Sequence, residues 1–218
     1  MRHVDLSVYL VLDPGLCGGF DGMVETSRAA AQAGATVIQL RAPTWKKRAL
    51  VECARAIKQA VAPWNVPLIV NDHADVCVAA DAHGLHVGQN DLTPQDARAI
   101  IGPDRVLGLS VSNESHLNAV DARIVDHLGI GPVFATTTKL DADPAVGLDG
   151  FARLAARKPC PIVAIGSVTA QCAPDLIRLG ADGVAVVSAI CGQPNVAEAT
   201  QRLVRALRAA REGGTVAL

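Results

Sequence analysis

Aromatic residues are scarce in this sequence: three Phe, two Trp and one Tyr, 3% of 218 positions, although half of all residues are hydrophobic. A core with so few rings must be built from Ala, Val, Ile and Leu, the side chains that fill parallel sheets and the helices covering them. Excess charge is also lacking. The formal net charge of −1 excludes a global field drawing the chain to nucleic acid or an anionic membrane, so any polyanion must be met by a local cluster. No apolar run approaches the roughly 18 residues of a membrane span. The start, Met1-Arg2-His3-Val4-Asp5, lacks the basic stretch and apolar core of a secretory signal. Among six cysteines there is no Cys-x-x-Cys pair, which predicts reduced packing thiols in a cytoplasmic protein rather than a disulfide or zinc framework.

What is present is alternation. Short apolar runs predict strands at Ser7–Leu12, Thr36–Leu40, Pro67–Val70, Gly84–Val87, Val106–Leu109, Ile124–Ile130, Pro161–Ile165 and Gly183–Val187. Helical patterns lie at Met23–Ala33, Trp45–Val61, Ala74–Ala80, Thr93–Ile101, Glu114–Asp121, Leu148–Arg157, Ala173–Leu179 and Val196–Arg211. Asn113 or Ser115 is placed to cap the fifth helix, and Gly34 and Gly180 stand where a left-handed C-cap wants glycine. Eight strand–helix units imply a parallel sheet with right-handed crossovers. No Gly-x-Gly-x-x-Gly follows the first strand, which argues against an open dinucleotide-binding sheet. The expectation is an α/β fold, one (β/α)8 TIM barrel spanning residues 1–218, with a tail from residue 212 onward, around Gly213-Gly214, that frays.

Active sites of such barrels lie at the C-terminal strand ends. Polar residues there are Gln39 and Arg41 after the second strand, Asn71 and Asp72 after the third, and His86, Gln89 and Asp91 after the fourth. Ser110 follows the fifth, Thr136, Thr138 and Lys139 the sixth, Gly166-Ser167 the seventh and Val187-Ser188 the eighth. Asp72 and Asp91 are hard oxygen donors suited to Mg²⁺, which takes one or two carboxylates with phosphate oxygens and water. Arg41 and Lys139 are suited to the remaining charge of a diphosphate, and Gly166, Val187 and Ser188 to a second phosphate held by backbone N–H groups. Taken singly, Asp72 or Ser188 reads equally well as a helix cap. A zinc site from His73, His83 and His86 is awkward, because neighbouring strand residues alternate faces; His86 reads as barrel lining.

Asn71-Asp72-His73-Ala74-Asp75, His86-Val87-Gly88-Gln89-Asn90-Asp91, Gly108-Leu109-Ser110, Gly129 through Lys139, Val163 through Gly166 and Ala181 through Ser188 together resemble the thiamine-phosphate synthase family. The likeness runs from about Val4 to the last helix. It implies a barrel that joins 4-amino-2-methyl-5-hydroxymethylpyrimidine diphosphate to 4-methyl-5-(2-phosphoethyl)thiazole, giving thiamine phosphate and diphosphate. It further implies that Gln39, Arg41, Asn71 and Lys139 contact the pyrimidine diphosphate, with Ser110 beside the pyrimidine. By the same likeness Asp72 and Asp91 hold Mg²⁺, and Thr136, Thr138, Gly166, Val187 and Ser188 hold the thiazole phosphate. Arg41, Lys139 and Ser110 are the catalytic candidates. The partners so implied are small molecules, with no nucleic acid and no membrane; a homo-oligomer stays possible.

The chain departs from the family pattern in three places. Pro43 stands where the family usually has a lysine, and Lys46 or Lys47 is the nearest replacement. Ser167 stands where a second glycine is common, and Ala135 where proline often precedes the threonines. Two alternatives therefore remain open: a regulatory paralogue that keeps the pocket without turnover, and a thiazole-phosphate tautomerase, although Ser112 stands where those relatives often have histidine.

Overall fold

The computed structural model describes residues 4–136 and 143–213. Eight parallel strands close into one barrel in chain order, β1 pairing with β8. They are β1 (Val8–Leu12), β2 (Val37–Leu40), β3 (Leu68–Asn71), β4 (Gly84–Val87), β5 (Val106–Val111), β6 (His127–Ile130), β7 (Ile162–Ala164) and β8 (Gly183–Val186). Helices α1 (Pro14–Cys17), α2 (Gly19–Gln32), α3 (Lys47–Val61), α4 (Ala74–Ala79), α5 (Pro94–Ile101), α6 (Glu114–Asn118), α7 (Gly147–Ala155), α8 (Ala173–Arg178) and α9 (Val196–Gly213) connect and cover them.

The helix ends follow local chemistry. Asn113 accepts from the His116 N–H, and Thr93 from the Asp96 N–H ahead of Pro94, so α6 and α5 each begin on a side-chain cap. Gly34 and Gly180 both adopt positive φ, 107° and 103°. The sequence reading missed α1 and the first turn of α2, where Gly15, Gly18 and Gly19 argue against helix; Asp13 overcomes them by accepting from the Leu16 N–H ahead of Pro14. β6 begins at His127 rather than Ile124, because the N–H groups of Ile124 and Val125 both turn back to the Asp121 carbonyl. Helix α9 ends at Gly213, and the rest of the tail expected to fray lies outside the described residues.

Two cores result. The larger lies between strands and helices; the smaller fills the barrel with Leu6, Tyr9, Val11, Val37, Ile69, Val106, Val163 and Ala185. All six cysteines are free thiols. Burial pushes Cys77 and Cys160 up to about 11 and Cys53 up to about 12, which suits packing rather than reactivity.

The N-terminal face carries one device four times. The residue just before β2, β4, β6 and β8 accepts the backbone N–H of a residue at the start of the preceding strand. The pairs are Thr36 with Val8 at 3.0 Å, His83 with Leu68 at 3.0 Å, Asp126 with Leu107 at 2.8 Å and Asp182 with Ile162 at 2.8 Å. Asp126 and Asp182 are themselves met by Arg98 and Lys158, each at 2.7 Å. These contacts satisfy strand N–H groups at the barrel floor, so they belong to stability rather than chemistry.

Candidate active site

The opposite face is where the predicted residues gather. Gln39 and Arg41 stand at the end of β2; Gln39 is buried inside the barrel, and its Nε2 donates to the Tyr9 hydroxyl at 2.9 Å. Asn71 closes β3 and pairs in register with His86 of β4. Asp72 follows in a left-handed conformation, φ 60°, held by donation of its N–H to the His86 carbonyl at 2.8 Å. Left-handed backbone favours glycine but admits Asp and Asn more readily than most side chains. Asp91 lies in the exposed turn after β4, where one carboxylate oxygen accepts from the Gly88 N–H at 2.8 Å. Asp72 and Asp91 thus follow neighbouring strands on one face of the barrel.

Ser110, in β5, is fixed from two directions. Its Oγ lies 3.0 Å from His86 Nε2, and its carbonyl accepts from Gln89 Nε2 at 2.6 Å. Gly108 makes this possible: a Cβ there would lie 2.4 Å from His86 Nδ1 and 2.5 Å from His127 Nε2, so both imidazoles occupy space that any other residue would claim. A glycine inside a strand signals such close approach, and the sequence reading did not use it.

On the far side, Thr136 is half-buried after β6. Thr138 and Lys139 lie outside the described residues. Gly166 is buried after β7 with φ 106°, and a Cβ there would meet Pro132 Cα at 2.6 Å and the Val133 nitrogen at 2.8 Å. Conformation and space both demand glycine. Val187 and Ser188 begin a helical turn after β8: the Ile190 and Cys191 N–H groups return to the Val187 carbonyl, leaving the first amides of the turn at the barrel mouth.

Of the expected replacements for the missing family lysine, Lys46 is the N-cap of α3, and Lys47 is engaged by Asp75 at 2.6 Å. That contact holds the Asp75 carboxyl below its usual range. His83 is the strand cap described above, and among the described residues there is no group of three or more His, Cys, Asp or Glu that could hold a metal. A two-carboxylate Mg²⁺ site needs no such group, since phosphate and water supply the other donors.

Comparison with known proteins identifies the family. The family model described as thiamine monophosphate synthase matches residues 8–190. The chain belongs to that family. It is 51% identical to a thiamine-phosphate synthase of Xanthobacter autotrophicus, over 96% of this chain and 99% of that protein. It is 48% identical to one of Laribacter hongkongensis, over 93% and 95%. A solved structure, thiamine phosphate pyrophosphorylase from Pyrococcus furiosus, superposes with a TM-score of 0.85 at 30% identity, covering 94% of this chain and 97% of that one. This is an enzyme family of thiamine biosynthesis built on the (β/α)8 barrel seen here. Among the described residues no helix is long and apolar enough to cross a membrane.

Proposed function

We propose that this chain condenses 4-amino-2-methyl-5-hydroxymethylpyrimidine diphosphate with 4-methyl-5-(2-phosphoethyl)thiazole, releasing diphosphate and forming thiamine phosphate. The observation that carries the reading is the near full-length likeness to thiamine-phosphate synthases.

The aminopyrimidine delocalises positive charge at its methylene, so the carbon–oxygen bond breaks before the nucleophile arrives. Catalysis then consists of stabilising the departing diphosphate and holding the thiazole behind the methylene. Arg41 and Lys139 neutralise diphosphate oxygens as they gain charge, Lys139 assigned by family resemblance. Asp72 and Asp91, hard carboxylates that follow the neighbouring strands β3 and β4, would hold a Mg²⁺ ion, which when bound supplies further neutralisation of the diphosphate. Gln39, Asn71 and Ser110 orient the pyrimidine. Thr136, Thr138 and the backbone N–H groups at Gly166, Val187 and Ser188 anchor the thiazole phosphate. The thiazole nitrogen attacks through its own lone pair, so no side chain has to act as base.

Purified protein incubated with both substrates and Mg²⁺ is expected to release diphosphate and thiamine phosphate in equal amounts. Absence of both products, in protein shown to be folded, sinks the proposal.

A further inference from the structure

Three rings cross the barrel interior beneath the mouth. Tyr9 of β1, His127 of β6 and His86 of β4 lie in a row, with ring centroids 5.8 Å apart between Tyr9 and His127 and 5.6 Å apart between His127 and His86. His86 and His127 fill the space left by Gly108. His127 is only 2% exposed, and neither ring nitrogen has a hydrogen-bond partner among the described residues. It is therefore a neutral wedge, not a proton carrier. The two outer rings each present a polar atom to a different site side chain: the Tyr9 hydroxyl accepts from Gln39 Nε2 at 2.9 Å, and His86 Nε2 meets Ser110 Oγ at 3.0 Å.

We propose that Tyr9, His127 and His86 form a positioning floor that fixes which hydrogen-bonding groups of Gln39 and Ser110 face a bound aminopyrimidine. This deepens the reading under Proposed function and rests on it. A serine hydroxyl rotates freely about its C–O bond, and a glutamine amide can present either its oxygen or its nitrogen. With Nε2 donated to Tyr9, Gln39 keeps its carbonyl oxygen and second N–H for the ligand. With one side of its hydroxyl taken by His86, Ser110 has its remaining capacity directed elsewhere. An edge carrying a donor beside an acceptor, such as an aminopyrimidine presents, then meets partners already aligned, and the ordering cost is removed from the binding step. His127 holds the two outer rings apart; by the same logic all three are positioning residues rather than catalytic ones.

Tyr9→Phe removes only the hydroxyl. It should lower kcat/KM for the pyrimidine diphosphate about fivefold, the loss of one hydrogen bond, and weaken calorimetric binding of that substrate equally. Affinity for the thiazole phosphate should stay within twofold. For His86, Gln reaches the Nε2 position and Asn falls short of it. His86→Gln should therefore retain most activity, while His86→Asn should drop to the level of Ser110→Ala and add nothing to it in the double variant. A merely structural role would show neither rescue by Gln nor this non-additivity. If the wild-type protein turns over while Tyr9→Phe matches it and His86→Asn is additive with Ser110→Ala, the floor is overturned and the synthase reading survives. If the wild-type protein binds the pyrimidine diphosphate without turnover, the synthase reading falls and the binding ratios alone decide the floor. Failure of wild-type protein to bind the pyrimidine diphosphate overturns both.

Discussion

The Ser167 hydroxyl donates to the Ala135 carbonyl at 2.6 Å, joining the loop after β7 to the loop after β6. These are two of the three positions at which the chain departs from its family, and here they touch. Ser167 also explains the glycine common at this place, because its φ is 49°. The hydroxyl offsets the left-handed backbone with a tether beside Thr136. Ser167→Ala keeps the strained conformation without the tether, so affinity for the thiazole phosphate should fall about three- to tenfold by calorimetry. Ser167→Gly loses the tether but relieves the backbone, so its melting temperature should exceed that of Ser167→Ala.

The third departure removes a cation. Pro43 is exposed near Arg41, while Lys47 is held in an exposed pair with Asp75. Pro43→Lys should raise kcat roughly tenfold or more, the effect of one charge-assisted contact to the leaving group. Exposed ion pairs are weak, so Lys47 is free to exchange partners once a diphosphate is bound. A flat response in Pro43→Lys, combined with a loss in Lys47→Ala, would show that Lys47 has taken over the role.

Asp91 lies in an exposed turn and, among the described residues, is anchored through one oxygen to the Gly88 N–H. Asp91→Ala should abolish Mg²⁺-dependent turnover and leave thiazole phosphate binding nearly intact, since that anchor lies on other strands. Unchanged turnover across a Mg²⁺ titration counts against the metal assignment. Loss of thiazole phosphate binding would instead place Asp91 in the wrong half of the site.

His127 makes folding pH-dependent. Burial lowers its pKa from 6.5 to about 4, so between those values the unfolded chain binds a proton that the folded protein does not. Stability from this group is fully present above pH 6.5 and is lost as the pH falls toward 4, to a total of about 3 kcal/mol. Denaturant melts across that window should show the slope in the wild-type protein. His127→Leu should flatten it; an unchanged slope there would assign the acid sensitivity to other groups.

The barrel was legible in the sequence because alternation of apolar runs with helical stretches is a local property. β4 matches its predicted bounds, Gly84–Val87, residue for residue. Strand edges were misjudged where one carbonyl recruited two amides, as Asp121 does before β6. Most predicted site residues stand at the C-terminal face because strand ends are marked by the change from apolar to polar residues, a change visible without coordinates.

By itself, then, the sequence determined the fold class, the family and the face on which the candidate site residues stand, since each rests on short-range pattern or on motif identity. Only the tertiary structure decided which side chains meet. Gln39 reaches Tyr9 across 30 positions, His86 reaches Ser110 across 24 and Ser167 reaches Ala135 across 32. His83, one candidate zinc ligand by sequence, proves to be one of four strand caps. The physical reason is geometric: strand tilt and stagger set the layer at which each inward side chain stands in a closed barrel, and closure is a property of all eight strands together.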